Sequence, residues 1–166
     1  MNRHFEICKI MKYPVQLDET DRRILRALQR DATLSQAALA EEVGASAASC
    51  WRRVKALEEA GVLKAAVRLV NPAAIGRDVN VLCQVRLKSH SDENREAFER
   101  FVAGRDEIME CYSTSGDWDY ELRIVVPDVA AYENFLMRVL LHQPPIATAS
   151  SRFALAQIKY QTALPV

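Results

Sequence analysis

The sequence predicts an α+β chain of two modules, an N-terminal (winged) helix-turn-helix followed by a C-terminal ferredoxin-like βαββαβ domain. Three observations predict it. Short helical periodicities in the front half stop at glycines, and one such stop is followed almost at once by a new helix start. Near Val79 the apolar pattern changes from a period of about 3.6 to a period of about 2. Beyond that point the periodic segments come in the order strand, helix, strand, strand, helix, strand. The chain has 166 residues, 49% hydrophobic and 27% charged, enough for one ordinary domain or two small ones with real cores. The predicted boundaries are a tail over 1–16, the helix-turn-helix over 17–64, a strand or linker over 65–78, and the ferredoxin-like domain over 79–166.

Residues 1–16 are expected to be a poorly ordered tail, and Met11, which opens "MKYPVQLDETD", is a second candidate start. The first helix begins in "LDETDRRILRALQRD". Asp18 is its expected N-cap, and Asp21 replaces the usual Glu of a capping box. Ile24, Leu25 and Leu28 recur at helical spacing. In the second helix Ser35 is the N-cap, Leu39, Ala40 and Val43 form the apolar face, and Gly44 is the stop. Only Ala45 separates Gly44 from Ser46, the next N-cap, so the second and third helices cannot be coaxial. The third helix runs to Gly61, and "VLKAAVRLVNP" follows as an extended strand or wing closed by Pro72.

In the second module "VNVLCQVRL" alternates, with Val79, Val81, Cys83, Val85 and Leu87 on one face. "SDENREAFERFVAG" reads as a helix on Phe98, Phe101 and Val102. "EIMECYSTS" and "YELRIVV" read as strands hinged at Gly116–Asp117. "DVAAYENFLMRVLLH" is a helix on Tyr132, Phe135, Leu136, Val139 and Leu140, broken by Pro144–Pro145, and "ATASSRFALAQIKY" is a last strand.

Charge and cysteine usage narrow the function classes. Residues 1–70 carry 12 Lys/Arg against 9 Asp/Glu, and residues 71–166 carry 10 against 13. The front is therefore basic by +3 and the back acidic by −3, as two modules with different partners would be. Cys8, Cys50, Cys83 and Cys111 are widely spaced and make no C-x-x-C pair, which argues for a reduced, cytosolic protein without structural zinc. The first residues form no signal-peptide block, and no segment is long enough to span a membrane.

On a wheel of about 100° per residue, Ala47, Cys50, Val54, Leu57 and Gly61 share the inner stripe of the third helix. Ala48, Ser49, Arg52 and Lys55 lie opposite, with Arg53 on the flank and Trp51 at the core border, where packing is expected. A basic face with small residues near the N-terminal end can enter a DNA major groove. Arg52 is placed to read guanine and Ser49 a base or phosphate. Arg53 and Lys55 are expected at phosphates, and Gln36 and Ser46 stand at helix starts that attract phosphate. The plainer alternative is a solvated amphipathic helix.

The segment "STSGDWDY" carries two carboxylates around a tryptophan. No nucleophile, histidine cluster or metal-ligand spacing accompanies Asp117 and Asp119, so neither catalysis nor a resident cofactor or metal is expected. One reading is a plain turn, with Gly116 supplying an unusual backbone angle and Asp117 bonding its own backbone. The other is a binding site for a zwitterionic small molecule. In that reading Asp117 or Asp119 faces an ammonium group, while Ser113, Thr114, Ser115 and the Gly116 N–H face a carboxylate beside Trp118. By strand parity Asp119 should lie on the sheet face with Glu121 and Arg123, away from the helices.

"LDETDRRILRALQRDATLSQAALAEEVGAS", "CWRRVKALEEAGVL", "NPAAIG", "SGDWDYELRIVVPD" and "SSRFALAQIKYQTALP" together resemble the Lrp/AsnC transcriptional regulators, in order and spacing, from about Leu17 onward. The resemblance implies a C-terminal RAM-type domain, binding to double-stranded operator DNA, and homodimers built through the C-terminal sheets that often assemble into octamers. It implies an amino-acid effector held between dimers near residues 113–119. Ala47 and Ala48 replace larger family residues, which leaves Ser49 and Arg52 as the base-reading candidates. Trp118 replaces the usual Tyr or Phe. The rival expectation is an amino-acid-sensing oligomer that does not touch DNA.

Overall fold

The computed structural model describes residues 15–166, and the expectations for the tail, for the Met11 start and for Cys8 fall on residues 1–14, outside it. The described residues form two compact units, residues 15–68 with 160–166, and residues 69–159.

The first unit is three helices. α1 spans Glu19–Arg30, α2 Gln36–Val43 and α3 Ala47–Glu59. The predicted capping box is present: the Asp21 N–H donates to Asp18 Oδ1 at 2.9 Å, and the Asp18 N–H donates to Asp21 Oδ2 at 3.2 Å. Ser35 and Ser46 cap α2 and α3 through their hydroxyls. Gly44 ends α2 in the left-handed conformation, φ 67°. That angle lets the chain reverse within three residues, and a β-carbon there would be strained. Ile24, Leu25, Ala27, Leu39, Ala40, Val43, Cys50, Val54 and Leu57 form one buried cluster. The inner stripe of α3 is shorter than the wheel predicts. Ala47 and Gly61 are exposed, because they lie in the first turn and beyond the last one, past the helices that cover the middle.

Residues 160–166 return to α1. Gln29 uses its side-chain amide as a strand would use its backbone, accepting from Leu164 N–H at 2.6 Å and donating to Leu164 O at 3.1 Å. Arg26 Nε donates to Val166 O, and Val166 packs against the helical core. The expected ferredoxin-like domain extends to Val166, but these last residues have no strand partner and belong with the helices.

The second unit is a four-stranded antiparallel sheet in the order β2-β3-β1-β4. The strands are β1 Val79–Leu87, β2 Ile108–Ser113, β3 Tyr120–Val126 and β4 Ile146–Phe153. Helices α4 (Asp92–Ala103) and α5 (Val129–Asn134) cover one face. Val81, Cys83, Val85 and Leu87 from β1 meet Tyr120, Leu122, Ile124 and Val126 from β3 in the core, as the alternation predicts.

Three expectations change. The strand or wing predicted over residues 62–72 carries no ladder bonds in the single chain, and a 3₁₀ turn, Ala73–Ile75, follows it. β4 stops at Phe153 instead of running to Tyr160, because β1 begins at Val79 and the last bond, Ala154 N–H to Asn80 O, exhausts its partner. The second half of the last helix, Phe135–Leu140, is a π-helix. Phe135 and Leu140 are both buried although five residues apart, a spacing that sets side chains about 140° apart on an α-helix. The wider π turn brings both to the sheet. Among the described residues no helix is long and apolar enough to cross a membrane.

Candidate functional site

Two surfaces carry the predicted site residues. The first is the outer side of the helix-turn-helix. Gln36, Ser46, Arg52 and Lys55 are exposed, and Ser49 is half-buried beside the cap it shares with Ser46. Ala47 and Ala48 are exposed next to them and keep the start of α3 slim. Arg52 makes no hydrogen bond or ion pair with any described residue, so its guanidinium is available to a partner. Lys55 pairs with Glu58 one turn on, at 2.7 Å. Trp51 is 54% exposed and is not packed as expected, because the core stripe of α3 is filled by Cys50, Val54 and Leu57.

Arg53 is placed differently from its neighbour. Its Nη1 lies 2.7 Å from Asp18 Oδ2 and 2.7 Å from Asp21 Oδ1, so it grips both members of the α1 capping box. The Asp18 carboxyl is held below its ordinary range, first by the Asp21 N–H and then by Arg53. The Arg53 guanidinium is held more firmly protonated by Asp21 and then Asp18. Its chemistry is that of a strut between the start of α1 and the middle of α3. Sequence reasoning could not see this, since the partners are 35 and 32 residues away.

The second surface is the β2–β3 hairpin tip. Ser113 is the last residue of β2, opposite Tyr120. Thr114 closes the loop twice, its N–H donating to Asp119 O at 3.0 Å and its hydroxyl to Trp118 O at 2.6 Å. Gly116 has φ 116°, open only to glycine without strain, although no atom lies within 4 Å of where a β-carbon would stand. Ser115, Gly116 and Asp117 are exposed. The turn reading holds at Gly116 but not at Asp117, whose carboxylate makes no hydrogen bond to its own backbone; Thr114 closes the loop instead.

The two carboxylates separate. Asp119 Oδ2 accepts from the Leu87 N–H at 2.7 Å, and the His90 ring lies 3.6 Å from its other oxygen. The pairing of β1 with β4 shifts register between Arg86 and Leu87, and Asp119 supplies an acceptor there. Its carboxylate is therefore engaged by the end of β1. Asp117 makes no side-chain hydrogen bond or ion pair among the described residues. The residue that sequence reasoning missed is Arg86. Its Nε donates to Asp117 O at 2.8 Å, and its guanidinium carbon lies 5.0 Å from the centre of the Trp118 ring. Its one sequence signal is its place in β1, on the parity opposite the buried Val85 and Leu87.

Burial pushes the Cys50, Cys83 and Cys111 thiols up, Cys111 to about 11, so none is a poised thiolate. No cluster of three metal-ligating side chains forms among the described residues.

The comparisons with known proteins assign both units. Residues 17–64 match a winged helix-turn-helix DNA-binding model, and residues 80–164 match the Lrp/AsnC ligand binding domain. The chain belongs to the Lrp/AsnC family. It is 37% identical over 150 residues to the DNA-binding transcriptional activator DecR of Escherichia coli, across 90% of this chain and 99% of that protein. An AsnC family transcriptional regulator from Agrobacterium tumefaciens is 46% identical, with a TM-score of 0.85 over 90% of this chain and 97% of its own. A transcriptional regulator from Neisseria meningitidis, solved as a complex with L-Met, is 32% identical, with a TM-score of 0.86 over 90% and 97%. This Lrp/AsnC protein is a DNA-binding transcriptional regulator with a ligand-binding domain.

Proposed function

We propose that this regulator is a cytoplasmic, non-catalytic protein whose operator binding or assembly responds to an amino acid held at the β2–β3 hairpin. One observation carries the reading. On a ligand-binding domain, an exposed carboxylate (Asp117), an aromatic ring (Trp118), hydroxyls (Ser113, Ser115) and a guanidinium (Arg86) converge on one exposed tip. That inventory suits an ammonium group, a carboxylate and an apolar side chain. The L-Met complex of the Neisseria relative supports the same ligand class.

Operator contact is assigned to Arg52 and Ser49 for bases and to Gln36, Ser46 and Lys55 for phosphates. Arg53, predicted as a phosphate contact, is assigned instead to orienting α3, because its guanidinium is engaged by Asp18 and Asp21. A homodimer, able to assemble to an octamer, is supported by two extended segments with no ladder partner in the single chain. Their apolar side chains, Val67, Leu69 and Val70 in one and Leu155, Ile158 and Tyr160 in the other, are at least 60% exposed. A two-fold assembly presents paired recognition helices, so operator half-sites are expected to be pseudo-palindromic and spaced by whole helical turns. An effector changes DNA affinity only by binding one state of the assembly better than another.

Fluorescence anisotropy with operator DNA across a salt series, with and without each standard L-amino acid, tests the reading. Affinity should fall linearly on log axes, with a slope of about −0.9 per phosphate neutralised, and one or a few amino acids should shift it. Absence of DNA affinity at low salt would favour an amino-acid sensor that leaves DNA alone. Asp117→Ala is expected to lower effector affinity by roughly ten-fold or more, the usual cost of losing a hydrogen bond to a charged group, while operator binding without effector persists. An undiminished response would remove Asp117 from the pocket.

A further inference from the structure

Arg86 ties β1 to the hairpin loop through one nitrogen and leaves the rest of its guanidinium unused. Its Nε is tied to the backbone oxygen of Asp117, and the Trp118 ring covers one face of its guanidinium. A strand arginine seeking only charge compensation would pair with the Asp117 carboxylate, in the residue whose carbonyl it already touches. It does not: no ion pair joins them, and neither terminal amino group of Arg86 has a partner among the described residues. A positive fork and a negative carboxylate are thus kept side by side and unneutralised. The ring contact and the Nε bond together restrain the guanidinium and leave its terminal amino groups without a partner among the described residues. An oriented guanidinium edge matches a carboxylate with two parallel hydrogen bonds. In an α-amino acid the carboxylate and ammonium are separated by a single carbon, so they match two opposite charges held on one hairpin tip.

Building on the amino-acid effector reading, we propose that Arg86 is the receptor for the effector's α-carboxylate, with Asp117 facing its ammonium and Trp118 setting the angle of the fork. Asp119 takes no part, because its carboxylate is engaged by the Leu87 N–H. The ligand class is then a free α-amino acid with an unblocked carboxylate; an amino-acid amide or a residue within a peptide chain is disfavoured.

The test uses the full-length protein and calorimetric titration with the standard L-amino acids, then with the carboxamide of the tightest binder. The wild type should bind the free acid roughly ten-fold or more tightly than its amide. Arg86→Gln should weaken the acid by roughly ten- to a hundred-fold while changing the amide little, so that the preference collapses. Arg86→Lys keeps the charge without the fork and should retain part of the preference, which covers the case in which Arg86→Gln disturbs the hairpin. If both variants keep the wild-type ratio of acid to amide, or weaken the two ligands equally, Arg86 only props the hairpin and the proposal is overturned, with the effector reading intact. If the wild type binds no amino acid, the effector reading falls and takes this one with it.

Discussion

Arg52→Ala is expected to weaken operator binding by roughly ten- to a hundred-fold and to relax base preference at one position of each half-site, since a bidentate contact to guanine discriminates by about 1–3 kcal/mol. Arg52 stands on the exposed side of α3 with no partner among the described residues, next to the small residues Ala47 and Ala48. Nothing bulky there holds the helix off the groove. Arg53→Ala supplies the contrast within the same helix. Losing the grip on Asp18 and Asp21 should lower affinity for all sequences alike and loosen the packing of α1 on α3, without relaxing base preference. Footprinting of both variants over a set of half-site substitutions separates the two patterns. An Arg52→Ala protein with wild-type affinity and footprint would take Arg52 out of base readout.

Phe98→Ala should destabilise the ligand-binding unit by about 3–5 kcal/mol, the range for truncating a buried aromatic. Phe98 is fully buried on α4, its ring 4.5 Å from that of Tyr120 and 6.5 Å from that of Phe101. Burial pushes the Tyr120 hydroxyl up to about 12, helped by Glu99, so it stays protonated to donate to the Glu99 carboxylate. Removing the Phe98 ring leaves a cavity among rigid strand side chains that cannot close over it. Each unit contains one tryptophan, Trp51 or Trp118, so each can be followed alone. In a Trp51→Phe background, urea unfolding reported by Trp118 should shift to a much lower midpoint. A loss under about 1 kcal/mol would mean that the site collapses around the missing ring, in the way that makes such truncations vary.

The parts of the fold that were legible in the sequence rest on local physics. β1 and β3 follow from strict alternation, and the helix starts at Asp18, Ser35 and Ser46 from residues able to accept a first-turn N–H. Features set by distant parts of the chain were not legible. The end of β4 at Phe153 is set by where β1 begins, at Val79, far earlier in the chain. The π turn is set by which side chains the sheet can receive. The same division runs through the candidate sites. The hairpin declared itself through Gly116, the two carboxylates and Trp118. Arg86 did not, because an outward arginine on a strand looks the same in sequence whether it faces water or stacks on a ring. Arg53 is indistinguishable from any flanking cation of a recognition helix until folding brings Asp18 and Asp21 to it.

The return of residues 160–166 to α1 changes how this protein can be taken apart. The helical unit is not one stretch of chain but two, joined through the ligand-binding unit. A protease that cuts between residues 69 and 78 severs the one covalent link to the three helices, and the fragments then stay together only through the docking of residues 160–166 on α1. A gene fragment ending near Arg68 would encode all three helices yet omit the segment that satisfies Gln29 and Arg26. Dissection by domain boundaries drawn along the sequence would yield a helix-turn-helix missing part of its own surface. The natural unit for grafting or chimera building is the pair of segments together.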